Sequence, residues 1–254
     1  MWFRLTAIGL LATAAVADPV FAQSPPVVRG INGSWEAYPL RGEGFGSGVQ
    51  PKTPVPVPPP IPEPPLRQPH LDEWRAVQAR NAELTRKGLP PPSTGMACIP
   101  EGMPGMMQAT FPMEILETPG QITIIEEAFN QVRRIHLDAP SIAPQDAEPR
   151  FAGHSTGRWE GNTLSVVTVG IKESVRFRNT PHSANLRITE RMRLVNEEIL
   201  ENQVTVEDQE YLTRPWTWTW MYKRWPGYRI EEYVCEDNRY FDDPTLRYQR
   251  LRVN

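Results

Sequence analysis

A carboxylate stands where an alternating strand calls for an apolar side chain. Along Leu186-Arg187-Ile188-Thr189-Glu190-Arg191-Met192-Arg193-Leu194, one face carries Leu186, Ile188, Glu190, Met192 and Leu194. The other face carries Arg187, Thr189, Arg191 and Arg193. Period-two alternation marks a half-buried strand, so Glu190 turns inward with four apolar neighbours. A carboxylate taken out of water has to be paired or put to use. Three kinds of chemistry answer to that. The first is a structural ion pair with a neighbouring arginine such as Arg158 or Arg191. The second is acid–base catalysis with a histidine partner, since burial raises a carboxyl pKa toward neutrality. The third is a metal site of two imidazoles and one carboxylate. No HExxH or HxH spacing supports the third, and no metal is expected.

Of the four histidines, His70 ends a proline-rich stretch and is expected to face solvent, and His136 ends a strand of mixed polarity. His154 and His182 are the candidates. A hairpin centred on Gly161-Asn162 returns the chain beside His154 near Val169, and residues 170–184 then loop to Asn185. His182 and His154 therefore lie at one end of the sheet, together with Asp208, and Glu190 sits about four residues in. The register of the first hairpin stays open. A turn of two residues puts Trp159 on the Leu164/Val166 face and His154 on the other, and a turn of three reverses this. A catalytic set of His154, His182, Glu190 and Arg191 follows, with Arg158 or Arg191 stabilising an anion. Ser155 and Ser183 lack a nucleophile-elbow sequence. No P-loop or GxGxxG is present, and no cofactor is expected.

A second pattern would supply the binding surface. Trp216, Trp218, Trp220 and Tyr222 share one face of a strand, with Thr217, Thr219 and Met221 on the other. If Pro226-Gly227 makes a two-residue turn, Trp220 pairs with Tyr233 and Trp218 with Cys235. The row is then either a core wall or the lining of a cavity for a flat, hydrophobic ligand. Trp159, Trp216, Trp218, Trp220, Tyr233, Arg158 and Asp208 are the candidate binding residues.

The elements that position these residues are short strands. Residues 113–117, 122–127, 131–137, 153–159, 164–169, 185–195, 199–207, 216–224 and 229–236 read as about nine strands, mostly joined by hairpins. The fold class is mainly β, a calycin-like antiparallel barrel or strongly curved sheet spanning residues 111–254. One register can be argued. A three-residue loop at 196–198 pairs Val195 with Ile199 and sets Leu194 opposite Leu200, Met192 opposite Asn202, Glu190 opposite Val204 and Ile188 opposite Val206. A two-residue loop would turn Glu201, Gln203 and Glu207 inward. Before the barrel, residues 70–110 hold a helix from about Leu71 to Lys87, with Asp72 and Glu73 in its first turn and Gly88 and Pro90 past its end, and then a loop. Residues 23–69 form a Gly/Pro-rich arm. Ten prolines between 51 and 69 favour an extended spacer or surface strap over a partner-docking segment.

Residues 1–22 read as an export signal. A basic start is followed by an apolar run from Leu5 to Ala17, too short to span a bilayer, and by Val20-Phe21-Ala22 as a small-x-small cleavage site. A periplasmic or secreted protein without stable membrane insertion is expected. The net charge of −3, with the two signs interspersed, speaks against nucleic acid. Cys98 and Cys235 fit one disulfide in an oxidising compartment, the other option being two free thiols.

The run Gly153-His154-Ser155-Thr156-Gly157-Arg158-Trp159-Glu160-Gly161-Asn162-Thr163-Leu164 resembles the core shared by a group of exported bacterial proteins of uncharacterised activity. The likeness extends over roughly residues 95–238. It includes Cys98-Ile99-Pro100-Glu101-Gly102-Met103-Pro104, Pro112 to Gly120, His182-Ser183, Glu190-Arg191, Arg214-Pro215-Trp216 and Glu232-Tyr233-Val234-Cys235-Glu236. The resemblance implies a secreted β-rich domain holding a Cys98–Cys235 pair, and it points to His154, Trp159, His182, Glu190 and Arg191. The segment between Gly170 and His182 departs from the group in its Lys172, Arg176 and Arg178. The resulting expectation is an exported, cofactor-independent lyase, isomerase or hydrolase acting on a small hydrophobic or aromatic compound by His/Glu chemistry. The alternative is a non-catalytic binding barrel for a similar ligand, and a third class is a structural envelope protein.

Overall fold

Alternation along the chain becomes a closed barrel of nine strands in sequence order, antiparallel at every seam but one. The computed structural model describes residues 30–39, 46–92 and 97–235, with the backbone of two further short strands; the expected export signal lies outside the described residues. The barrel strands are β1 (Gly33–Tyr38), β2 (Met113–Thr118), β3 (Gln121–Glu126), β4 (Gln131–Leu137), β5 (His154–Glu160), β6 (Thr163–Val169), β7 (Arg187–Leu194), β8 (Ile199–Glu207) and β9 (Trp216–Arg224). Strands β10 (Tyr240–Asp243) and β11 (Tyr248–Leu251) pair with each other.

The β7–β8 register is the one argued from the pattern: Leu194 opposes Leu200, Met192 Asn202, Glu190 Val204 and Ile188 Val206. The Val195 amide donates to Ile199 O at 2.8 Å. The β5–β6 hairpin takes the two-residue turn, pairing Glu160 with Thr163 and Trp159 with Leu164. His154 therefore faces outward while Ser155 and Gly157 face inward.

Barrel closure differs from expectation. Residues 229–235 form no strand, because the edge of β9 that they would need is taken by β1, Trp35 pairing with Arg224 and Tyr38 with Met221. The far edge of β1 pairs with β2, so residues 33–38 of the expected arm complete the wall. Arg224 locks the junction by donating to the carbonyls of Gly30, Asn32 and Glu197 and covering the Trp35 ring at 4.2 Å. The proline-rich segment is a strap on the barrel. Lys52 N donates to Glu198 Oε2 at 2.8 Å, Pro62 O accepts Trp216 Nε1 at 3.0 Å, and Leu66 bridges Leu212.

Helix α1 (His70–Arg86) buries none of its residues fully. It is tied to the 170–184 loop where Trp74 Nε1 donates to Arg178 O at 2.9 Å. A Met-rich turn packs into the barrel core, with Met103, Met106 and Met107 at most 1% exposed. Cys98 and Cys235 form a disulfide over a separation of 137 residues. The chain-entropy treatment assigns such a loop about 5 kcal/mol. Among the described residues no helix is long and apolar enough to cross a membrane.

Candidate functional site

Glu190 is fully buried at the centre of the barrel, and it is paired. Its partner is Arg133, from the inner face of β4, which donates through Nη1 to Oε1 at 3.1 Å and through Nη2 to Oε2. Asn202 Nδ2 adds a third bond to Oε1 at 2.9 Å. The rest of the guanidinium is engaged too: Nε donates to Ser155 Oγ at 3.1 Å and Nη2 to Thr168 Oγ1 at 2.9 Å. The pairing of a buried carboxylate with an arginine was among the expected readings, but Arg158 and Arg191 are not the partners. Both lie on the outer face and clasp Glu160. With Ser165 they hold the Glu160 carboxyl down to about 2, the hydrogen bonds from Ser165, Arg158 and Arg191 being the cause.

Glu126 is another acid on an inward-facing strand position. It is 1% exposed and accepts from Gln131 Nε2 at 2.6 Å. Burial first, and then the nearby Glu101 carboxylate, push its carboxyl up to about 9, against the Gln131 bond. Near neutral pH it is an uncharged acid, so it leaves the charge balance of Arg133 and Glu190 intact. Burial also pushes the Tyr222 hydroxyl upward; that group donates to Met107 O at 2.6 Å.

The expected His/His/carboxylate cluster is not assembled. His182 and Asp208 do share one end of the barrel, where both line a small cavity. Both His182 ring nitrogens face carbonyl oxygens, Val175 O and Ser183 O, each at 2.9 Å, which leaves neither for a substrate. Asp208 caps a turn, accepting from Ser183 N and Oγ, Glu210 N and Tyr211 N. His154 is outside, its Nε2 2.8 Å from Glu148 O. Glu190 is sealed inside. Among the described residues no three His, Cys, Asp or Glu side chains come together to hold a metal.

The aromatic wall is present without Tyr233. Trp216, Trp218 and Trp220 follow one another along the inner face of β9 with ring centroids 4.7 and 5.3 Å apart. Tyr233 packs instead against Phe111 and Phe129, because its segment is not a strand. Trp159 lies at the opposite end of β5 from the loop, its Nε1 bonded to Glu117 at 3.0 Å. The row gains a ring that sequence reasoning missed. Phe177, from the 170–184 loop, stacks on Trp218 at 5.4 Å and 21° and also touches Trp216 and Trp220. No periodicity marks a loop residue, so only its being aromatic in a polar loop could have drawn notice.

Phe177 lines two spaces. Inward lies the small cavity, about 30 Å³, bounded by Thr180, His182, Leu186 and Trp216 and sized for a water or one substituent. Outward lies an open groove of about 510 Å³ with Ile99, Phe151 and Val175 in its walls. The polar atoms of this region are unevenly served. Trp216 Nε1 is bonded to the strap, whereas Trp218 Nε1, Trp220 Nε1, Asn202 Oδ1 and Thr180 Oγ1 are buried with no hydrogen-bond partner among the described residues. Asn202 and Trp220 are direct cross-strand neighbours. No family model matches the chain, and no curated protein matches it.

Proposed function

We propose that the protein is a non-catalytic binding barrel for a small, flat, hydrophobic molecule that carries a hydrogen-bonding oxygen. The ligand would enter by the groove at the barrel mouth, displace Phe177 from its stack on Trp218, and lie along the tryptophan row. The observation that carries this reading is the pair of buried indole N–H groups of Trp218 and Trp220, without a partner among the described residues, together with the equally unpartnered Oδ1 of Asn202 on the adjacent strand. An unmade bond on a buried donor costs about 1–3 kcal/mol, and a ligand oxygen that met these groups would recover it. Aromatic faces supply the apolar contact and the N–H groups fix orientation, the usual division of labour in a small-molecule site. An exported enzyme using His154, His182, Glu190 and Arg191 is the less favoured reading, because those groups face different spaces and already hold partners. The expected export and an oxidising compartment accord with the disulfide.

The test is incubation with a panel of aromatic and terpenoid compounds, read by tryptophan fluorescence and mass spectrometry. A compound retained unchanged, with quenching that Trp220→Phe weakens, supports binding. A compound consumed at catalytic protein concentration overturns the reading in favour of an enzyme, and a panel that neither quenches nor is retained removes the site.

A further inference from the structure

One stretch of strand edge in the barrel wall has no neighbouring strand among the described residues. Strand β5 pairs with β4, in parallel, only through Ile135–Ser155, His136–Thr156 and Leu137–Gly157. Ahead of β5 the chain swings away: Arg150 N donates to Gly170 O at 2.9 Å and Phe151 O accepts Met103 N at 2.9 Å. Gly153, at φ 61°, makes that bend, where a Cβ would lie 2.6 Å from Val169 O. Residues 131–134 of β4 therefore have β3 on one side and a groove on the other. Leu137 N donates to Gly120 O toward β3, and Asp138 N donates to Gly157 O toward β5. Main-chain groups alternate in direction along a strand, so both groups of Val132 and the N–H of Arg134 point into the groove.

The groove has a volume of about 430 Å³. Its lining includes Arg134, His136, Arg150 and His154, with Phe129 and Phe151 as apolar walls, and no aspartate or glutamate. Two carboxylates touch lining residues from outside it: Glu148 pairs with Arg150 at 2.7 Å, and Glu126 accepts from Gln131 at 2.6 Å. Four residues of free edge run for about 13 Å at the strand rise of ~3.3 Å per residue.

We propose that this groove binds a short, extended, acidic peptide segment of a partner protein, which adds as a strand to the free edge of β4. The edge supplies main-chain hydrogen bonds and the basic rim selects carboxylate side chains. A second copy of the chain is a poor occupant, because two such basic edges repel. A small free anion would use the charges but leave the main-chain groups unmet.

The probe is a fluorescein-labelled acetyl-Glu-Val-Glu-Val-Glu-amide, titrated with the purified protein and read by anisotropy. Saturable binding is expected, together with loss of about tenfold or more in affinity for a twin N-methylated at its central amides, since those bonds carry strand addition. The twin with lysine for glutamate should not bind, and Arg134→Glu should weaken the acidic peptide about tenfold. Arg134 is exposed, so that variant keeps its fold. Val132→Pro is a second variant: it removes an edge donor while keeping every charge, and it too should weaken binding. Absence of saturable binding overturns the proposal. So does equal binding of the N-methylated twin with full competition by succinate, which would mark a small-anion site instead.

Discussion

Two polar regions of the barrel interior, only a few residues apart, differ in whether their groups are satisfied. At the centre, Glu190 accepts three bonds and Arg133 spends every face of its guanidinium on Glu190, Ser155 and Thr168. Along the tryptophan row, two indole N–H groups and one amide oxygen are equally buried and have no partner among the described residues. A buried charge that is fully paired behaves as architecture, and its removal is felt mainly in folding. A buried donor without an acceptor costs stability in the folded protein, and that cost makes it a place where a ligand gains. A glutamate on a hydrophobic face therefore drew attention to chemistry, while the neutral indoles form the better-supported site.

The comparison is sharpest if its two halves fail in different assays. Arg133→Met leaves Glu190 buried without its counter-charge and should cost about 3–5 kcal/mol, whereas Arg133→Met with Glu190→Leu should recover most of the loss. Urea unfolding of the three proteins checks this. A single variant of full stability that fails to bind ligand would instead move the centre into the functional site.

Glu126→Gln should stabilise the protein by about 3–4 kcal/mol at pH 7, which lies about 2.5 units above the ordinary carboxyl value, each unit being worth ~1.4 kcal/mol. An acid whose folded pKa is raised from 4.5 to about 9 holds its proton longer when folded. It therefore withdraws stability as pH rises through that window. Thermal melts of both proteins at pH 5 and pH 8 should show the larger gain at pH 8. An equal gain at both would mean that the carboxyl is not held neutral.

Trp220→Phe keeps an aromatic ring and removes one orphan donor. Stability should stay within about 1 kcal/mol, the lost volume offsetting the relieved polar group, while affinity for a retained ligand falls about tenfold. Calorimetry alongside ligand titration separates the two. The smallest effect is expected for Arg191→Ala, whose exposed pair with Glu160 is worth no more than about 1 kcal/mol and lies outside the barrel. Any loss of ligand affinity in that variant would restore Arg191 to the site.

Much of the wall was legible before any coordinates. Glu190 was placed inward by alternation alone, and the β7–β8 register followed from refusing to bury Glu201, Gln203 and Glu207. The same reasoning was available for β4, where Gln131, Arg133 and Ile135 share the buried face; the neighbouring Arg134 and His136 disguised it as a strand of mixed polarity. Alternation could have nominated Arg133 as inward, yet it could not have named Glu190 as the partner. Those two side chains lie on strands separated by two others, and they meet only because the barrel closes.

The division has a physical basis. Side-chain direction along a strand is a local property of the pleat, so the sequence by itself determined which residues of β7 and β8 face in, where α1 lies and which cysteines were candidates for pairing. Neighbours across a sheet are chosen by competition among distant segments for the same hydrogen-bonding edge. Only the tertiary structure decided that Gly33–Tyr38, rather than residues 229–235, takes the edge of β9. That choice dispersed Tyr233 from the tryptophan row, while the path of the 170–184 loop laid Phe177 against it. The short β4–β5 seam was decided at the same level, because no residue of β4 records how soon the chain beside it will turn away.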